Sequence, residues 1–497
     1  MTKSLNIGAR ASLGKAWEGL ILPIFLKDAE NDPKWSYPRG LTEINTALKS
    51  YIERTATKVS KYKTIQFDLG PDKRVIVLFL PAKLLSYELL QSCRKVVELL
   101  TSFAANDIAC YIPTSKSFYM DVVDGIVSAS VAGSFRPKRY SKKSSPPPTK
   151  QKITIVVDKE QHHQYLGRAK KSKIVAEGTN MVRYLTMQAG NDLTPQGFKK
   201  TAKDLSQSEK LGFHFYSQAK LSQMGAGAFL AVCQGSAHTG SGIIKLSYVG
   251  KPNKKRKLTL IGKGITYDTG GVNLKPPAHM FGMHGDMGGA ALALAFLITA
   301  SRLQLPLDID CYLAVADNAI GDRAYRPNDV IHSLSGKSIE VVHTDAEGRM
   351  VLADTIFLAT KNKSDLVLDF ATLTGSCVAA IGTTYMGCFS NSDHLANMAV
   401  SSGKNSGERV WSFPLDEDFG DCLESDVADL KQCRLKGGVD HIEAAWFLKQ
   451  FLAEDRPWIH FDLSSCENDS GLGHVGTSVT GVGVRMLTLL IESYFGL

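Results

Sequence analysis

The sequence predicts an α/β protein in two parts: a smaller N-terminal α/β domain over residues 1–170, and a larger C-terminal domain over residues 171–497 with a mixed, mainly parallel sheet sandwiched by helices. Three observations carry this. The chain has 497 residues, more than one core of about 250–300 residues accommodates. Strand-like and helix-like segments alternate along it. In the second part the strand-like segments are apolar almost throughout, the pattern of central strands covered on both faces.

In the first part, apolar runs place strands at 62–69, 74–80 and 108–112, with a Leu-rich helix over 84–105 between the last two. Residues 136–152 follow, rich in Pro, Ser and Lys, which build no core, so they read as an exposed basic loop. Next come a strand at 153–157 and a polar helix over about 161–188, closed by Gly190, Asn191 and Pro195. The domain boundary falls in that helix or near its start. In the second part, strands at 258–261, 309–316, 366–370 and 458–463 alternate with helices at 288–302, 350–360 and 442–451. There is no internal repeat.

Composition narrows the class. Hydrophobic residues make up 44% and charged residues 22%, which excludes a fibrous, collagen-like or disordered chain. Nine cysteines without a CxxC pair read as free thiols of a reducing compartment. The apolar run 20–26 is short and follows Trp17-Glu18, so no secretory leader is expected, although Lys3, Arg10 and Lys15 without an acid give residues 1–17 some transit-segment character. The longest apolar stretch, 288–300, stops at Arg302, short of the roughly 20 residues of a membrane span. A cytoplasmic protein with no membrane partner is expected. The formal charge is +9, which raises the question of nucleic acid. Seven basic residues in 136–152 and five in 251–257 more than account for it, so nucleic acid is disfavoured.

Chemistry concentrates in three polar clusters that interrupt apolar segments, the place where sites gather at the carboxyl edge of such sheets. The first runs from Gly262 to Lys275 after a strand, the second from Met283 to Ala291 at a helix start, and the third from Val342 to Met350 before a helix. Asp268, Asp286, Asp345 and Glu347 each sit in what reads as a Gly-rich turn. If the turns converge, four carboxylates repel and need protons or multivalent cations to hold them together. Two divalent ions with oxygen ligands explain them economically, with no thiolate or His cluster to suggest a structural zinc site. Asp345 and Glu347, two apart in an extended segment, would face one side. Asp286 has a simpler reading too, as an acid favoured by a helix dipole.

The cations sharpen this. Lys263 lies between two glycines, Lys275 follows a Gly-Gly turn and Arg349 adjoins the carboxylate pair; structural ion pairing is the simple reading for any one of them. Beside a dinuclear acidic site, a Lys can stabilise an oxyanion and a guanidinium can anchor an anion such as a carbonate. A metal-bound water of lowered pKa would be the nucleophile, which makes metal-assisted hydrolysis the reaction class.

Together the clusters resemble the leucine aminopeptidase (cytosol aminopeptidase) family of dinuclear zinc exopeptidases. Its Asn-Thr-Asp-Ala-Glu-Gly-Arg signature appears as His343-Thr344-Asp345-Ala346-Glu347-Gly348-Arg349, and the similarity continues through Arg326–Val330 and Ala371–Gly375, over roughly residues 190–490. The resemblance implies that the second domain is catalytic and that Asp268 and Glu347 bridge two metals. Lys263 and Asp286 would complete one site and Asp345 the other. As a ligand, Lys263 would be a neutral amine, its pKa far below about 10.4. Lys275 would polarise the scissile carbonyl, and Arg349 would hold a bicarbonate relaying a proton to the leaving amine. Met283, Thr372, Leu373 and Gly375 would line the pocket for the first side chain, Leu-like but broad, since one methylene is worth only about 1–3 kcal/mol. Zinc is favoured, with manganese, magnesium or cobalt as alternatives at one site. Substrates would be short peptides and the assembly a homohexamer.

The chain departs from the family at His343, where Asn is usual, and at His284, where Lys or Arg is common; both flank ligands without being ligands. Other motifs fail. Gly336-Lys337-Ser338 lacks the first P-loop glycine, since Ile331 stands there. Ser464, Ser465 and Cys466 have no nucleophile elbow around them and read as packing or pocket lining. Two alternatives stay open: dinuclear hydrolysis of another bond, such as a phosphoester, and a peptidase with an added nucleic-acid role.

Overall fold

The computed structural model describes residues 5–26, 40–113, 118–141, 151–251 and 256–497. They fall into two units, one of Met1–Asn180 with Asn405–Gly407 and Ser470–Ser478, the other of Met181–Lys404, Glu408–Asp469 and Val479–Leu497.

The first unit is built on β1 (Asn6–Arg10), β2 (Gly19–Phe25), β3 (Thr64–Gly70), β4 (Lys73–Leu80), β5 (Asp107–Tyr111) and β6 (Lys152–Val156), in the order β1-β6-β5-β2-β4-β3. All neighbours are parallel except β3 and β4. The helices Ser86–Ser102 and Phe118–Gly133 pack on each other. Sequence patterning missed β1, β2, the helix Thr42–Thr55 and the helix Phe118–Gly133. The apolar run weighed as a leader is β2, a central strand buried between β5 and β4. A strand covered on both faces loses its alternation, so a short apolar run does not announce what it is. Of the basic loop, residues 142–150 lie outside the described residues, and Lys152 already belongs to β6. Residues 252–255 of the second basic stretch are also outside them, while Lys257 opens a strand and pairs with Asp310 at 2.9 Å. The first unit ends within the helix His162–Thr186.

The second unit carries β7 (Gly212–Ser217), β8 (Gly242–Tyr248), β9 (Lys257–Asp268), β10 (Asp308–Asn318), β11 (Val330–His332), β12 (Ser338–Glu340), β13 (Leu366–Ala371), β14 (Met386–Ser390), β15 (Val410–Ser412), β16 (Leu430–Lys431) and β17 (Trp458–Asp462). Eight of them form one mixed sheet, β15-β14-β17-β13-β9-β10-β8-β7, and β11-β12-β16 form a small one. The centre, β17-β13-β9-β10, is parallel throughout. The helix Gly288–Arg302 packs on β9, β10 and β13, and the helix Glu347–Thr360 also packs on β9 and β10. Side chains alternate along a strand: Gly262 meets Ala290 of the first helix, and Lys263 meets Gly348 of the second, so the two helices cover opposite faces.

Two sequence expectations change here. β9 does not stop at Ile261 but runs to Asp268, so Asp268 is a strand residue and not a member of a turn, and Lys263 lies inside the strand. The reason is steric. A Cβ on Gly262 would lie 2.5 Å from Ala290 Cα, and one on Gly289 would lie 2.1 Å from the Phe370 carbonyl oxygen. These glycines mark where helix and sheet backbones touch, which a propensity reading takes for a break. Likewise Asp345 lies in a turn, and Glu347 begins the helix Glu347–Thr360, so the two do not share an extended segment.

Pro277–Arg302 is the one stretch among the described residues apolar and long enough to cross a membrane. It breaks into a short helix, a 3-10 turn and the helix Gly288–Arg302, whose residues 288–300 are all buried in this unit.

Gly289→Ala tests the close approach. In an exposed helix interior the exchange would stabilise by about 1 kcal/mol. Here it forces the helix off β13 and is expected to destabilise by about 3 kcal/mol, read as a lowered midpoint in denaturant unfolding.

Candidate metal centre

The parallel strands deliver their polar residues at one edge. Asp268 ends β9, Asn318 ends β10, Thr372 follows β13 and Asp462 ends β17, all carboxyl ends, where sites in open α/β sheets lie. Asp286 precedes the helix Gly288–Arg302, and Glu347 opens the helix Glu347–Thr360, where the helix dipole favours a negative charge.

Carboxylate oxygens of Asp268, Asp286 and Glu347 lie within 4.8 Å of one another, and all three residues are buried. Two lysines hold this charge together. Lys263 Nζ is 2.9 Å from Asp286 Oδ1 and 2.9 Å from Glu347 Oε1, and donates to the Thr372 carbonyl at 3.0 Å. Lys275 Nζ is 2.9 Å from Asp268 Oδ2 and 2.6 Å from Asp345 Oδ1. Asp345 stands apart from the buried trio, its side chain 27% exposed, reached through Lys275. The five residues expected as ligands therefore converge, and Lys275 joins them as a sixth.

The loops carrying them are fixed by the main chain. Gly270 and Gly271 take positive φ of 86° and 68°, a turn open to glycine, and Asp268 Oδ1 accepts the Gly270 N–H at 2.9 Å and the Asn318 amide at 2.8 Å. Thr344 donates from its hydroxyl to the Gly270 carbonyl at 2.6 Å and from its N–H to Asn273 Oδ1 at 2.9 Å, which ties the loop bearing Lys275 to the one bearing Asp345. Gln432, fully buried, accepts from the Val342 and His343 N–H groups and donates to the Ala346 carbonyl. His343 Nδ1 accepts the Asp345 N–H at 3.3 Å, so it fills the capping part an Asn oxygen can play. His284 lies in the 3-10 turn Met283–Gly285. Sequence reasoning missed Asn318, Asn273 and Gln432, because each acts through a neighbour; Asn318 and Gln432 stand outside the three clusters, and Asn273 lies within the first without being singled out.

Electrostatics follow from burial. Burial opposes the charge on Lys263, but Asp286, Glu347 and Asp268 outweigh it and raise the ammonium pKa; Asp268 and Asp345 do the same for Lys275. Burial, then repulsion by Asp268, pushes the Asp286 carboxyl up to about 6 against the pull of Lys263, and pushes Glu347 up to about 8. Asp286 Oδ2 and Glu347 Oε2 are buried without a hydrogen-bond partner. Unfilled carboxylate valences facing each other, with no thiolate or imidazole in the set, fit divalent cations that take oxygen ligands.

Arg349, buried, donates from Nη1 to the Gln432 carbonyl at 3.1 Å and pairs through Nη2 with Asp440 at 2.7 Å, while its Nε has no partner. Next to the carboxylates lies a pocket of about 360 Å³ that shares Asp286 with them and is lined by Met283, Thr372, Leu373 and Gly375, the four residues expected there. Thr372 donates its hydroxyl to Asp286 Oδ1 at 2.6 Å, and Asp462 holds the Leu373 N–H and the Thr374 hydroxyl.

Residues 180–488 match the cytosol aminopeptidase family, catalytic domain. A probable cytosol aminopeptidase of Geobacter sp. (strain M21) is 33% identical over 421 residues, 84% of this chain and 85% of that one. One of Alcanivorax borkumensis is 40% identical over 324 residues, 64% of this chain and 65% of its own length. Among solved structures, the bottromycin maturation enzyme BotP in complex with Mn has a TM-score of 0.81 at 27% identity, covering 96% of this chain and 99% of that one.

The raised carboxyl pKa values set the sign of a pH effect. A proton bound up to about pH 8 at Glu347 must leave when a cation arrives. Calorimetric titration of zinc or manganese in buffers of different protonation enthalpy should show proton release at pH 7, larger than at pH 8.5. Apparent affinity should rise with pH across that interval.

Proposed function

The chain belongs to the cytosol aminopeptidase family of metal-dependent hydrolases, and from that premise we propose that it removes the N-terminal residue of short peptides at a dinuclear site. The observation that carries the reading is the interleaving of Lys263 and Lys275 with four carboxylates beside a pocket that shares Asp286 with them. Asp268 and Glu347 are assigned to both ions, Lys263 and Asp286 to one and Asp345 to the other. Two divalent ions there supply Lewis acidity and a water acidic enough to attack near neutral pH. Zinc is our first choice, with manganese, magnesium or cobalt at one site; the manganese complex of BotP supports a divalent ion.

The chain's own residues do the rest. Lys263 gives up its proton to become a ligand, so the carboxylates that raise its pKa hold it as a counter-ion only while ions are absent. Lys275 would keep its charge, and with Asp268 and Asp345 serving as ligands its ammonium would be available to polarise the scissile carbonyl and stabilise the oxyanion. Thr372 orients Asp286 through its hydroxyl. Apolar walls at Met283 and Leu373 receive a Leu-like first side chain with broad tolerance. Arg349 is assigned the anchoring of a bicarbonate proton relay, and Asp440, already on Nη2, competes with that anion. We place the enzyme in the cytoplasm as a homohexamer, which sedimentation tests.

Lys275→Ala should lower kcat roughly 10²–10³-fold, the cost of one oxyanion donor, at unchanged metal content by elemental analysis. Asp345→Asn with Glu347→Gln should abolish both metal retention and hydrolysis of leucyl amides; surviving hydrolysis defeats the ligand assignment. Because Asp440 competes for Arg349, Asp440→Asn should lower the bicarbonate concentration that half-maximally stimulates kcat.

A further inference from the structure

The pocket beside the carboxylates is apolar on most of its wall, through Met283, Leu373, Val378 and Leu463, yet Glu467 also lines it. Glu467 is exposed, and its carboxylate makes no hydrogen bond or ion pair among the described residues. It lies at the Gly285 side of the pocket, where a Cβ added to Gly285 would sit 3.5 Å from Oε1. No Lys, Arg or His lines the pocket. The other two carboxylates there are engaged: Asp286 by Lys263 and Thr372, and Asp462 by the Leu373 N–H and the Thr374 hydroxyl. Glu467 is thus the one carboxylate of the pocket that neither a hydrogen bond nor an ion pair engages among the described residues, and it stands exposed at the pocket's edge.

An aliphatic stem that packs on apolar surface while its charged head stays at the solvent edge is how Lys and Arg side chains bury. The geometry points to Glu467 as a specificity determinant that favours peptides beginning with Lys or Arg over those beginning with Leu or Met. This rests on the aminopeptidase reading and narrows it.

An exposed carboxylate gives a modest, salt-screened preference, about fivefold. The test uses the full chain loaded with zinc or manganese, and compares kcat/KM for lysyl, arginyl, leucyl and methionyl aminomethylcoumarin amides at low and high salt. Calorimetry alongside compares binding of lysine hydroxamate and leucine hydroxamate. We expect the lysine-to-leucine ratio to exceed one, to drop about fivefold in Glu467→Gln and further in Glu467→Lys, and to shrink with salt. A ratio below one in the native protein, or one unchanged in both variants, overturns the assignment. Absence of turnover on every substrate overturns the aminopeptidase reading instead, and the hydroxamate ratio still decides the role of Glu467.

Discussion

Four carboxylates drawn to one sheet edge repel each other, and burial makes each charge dearer still, so cations must stand between them. The second unit meets this with two lysines placed as pairwise bridges: Lys263 between Asp286 and Glu347, Lys275 between Asp268 and Asp345. Neither lysine relieves the whole cluster. The Glu347 carboxyl, between Asp268 and Asp286 in a dry setting, still binds a proton up to about pH 8. Ammonium groups thus carry one part of the compensation and a proton on Glu347 another.

That constraint reaches into the backbone. Lys263 can stand among the carboxylates because Gly348 leaves room for its chain; a Cβ there would lie 2.7 Å from Lys263 Cε. Asp286 arrives from the other side because Gly262 and Gly289 let the helix Gly288–Arg302 press onto β9 and β13. The same small residues that would weaken an isolated strand or helix are what shortens the distance between opposite charges. Gln432 and Asn273 then lock the two loops by hydrogen bonds to main-chain groups, so side chains of like charge are held by forces that do not depend on their own attraction.

Much of the site was legible because its residues are chemically conspicuous: acids and lysines beside glycines in apolar surroundings have few simple explanations. What was not legible was geometry. Gly262 and Gly264 made β9 look finished at Ile261, although the strand runs on to Asp268, because sequence shows a missing side chain but not the helix that occupies its space. Asp345 and Glu347 looked like neighbours on one extended segment, although a helix begins between them. β2 was missed because full burial removes the alternation that identifies a strand. Asn318 and Gln432 left no signal, and Asn273 was not told apart from its cluster, since an amide that braces a loop has no composition of its own.

The distinction between bracing and ligand-directed groups can be drawn from their valences. Asp462 spends both oxygens, one on the Leu373 N–H and one on the Thr374 hydroxyl, and so shapes the pocket wall without facing a substrate charge. Asp286 and Glu347 each spend one oxygen on Lys263 and leave the other buried with no partner. Leaving a buried carboxylate oxygen unpaired costs free energy, and both of these oxygens belong to carboxylates of the buried trio. Unpaired valences scattered through a core relax separately. Two that belong to a trio of buried carboxylates with oxygens within 4.8 Å of one another, beside a pocket, share a single remedy, which is a cation accepted by all three.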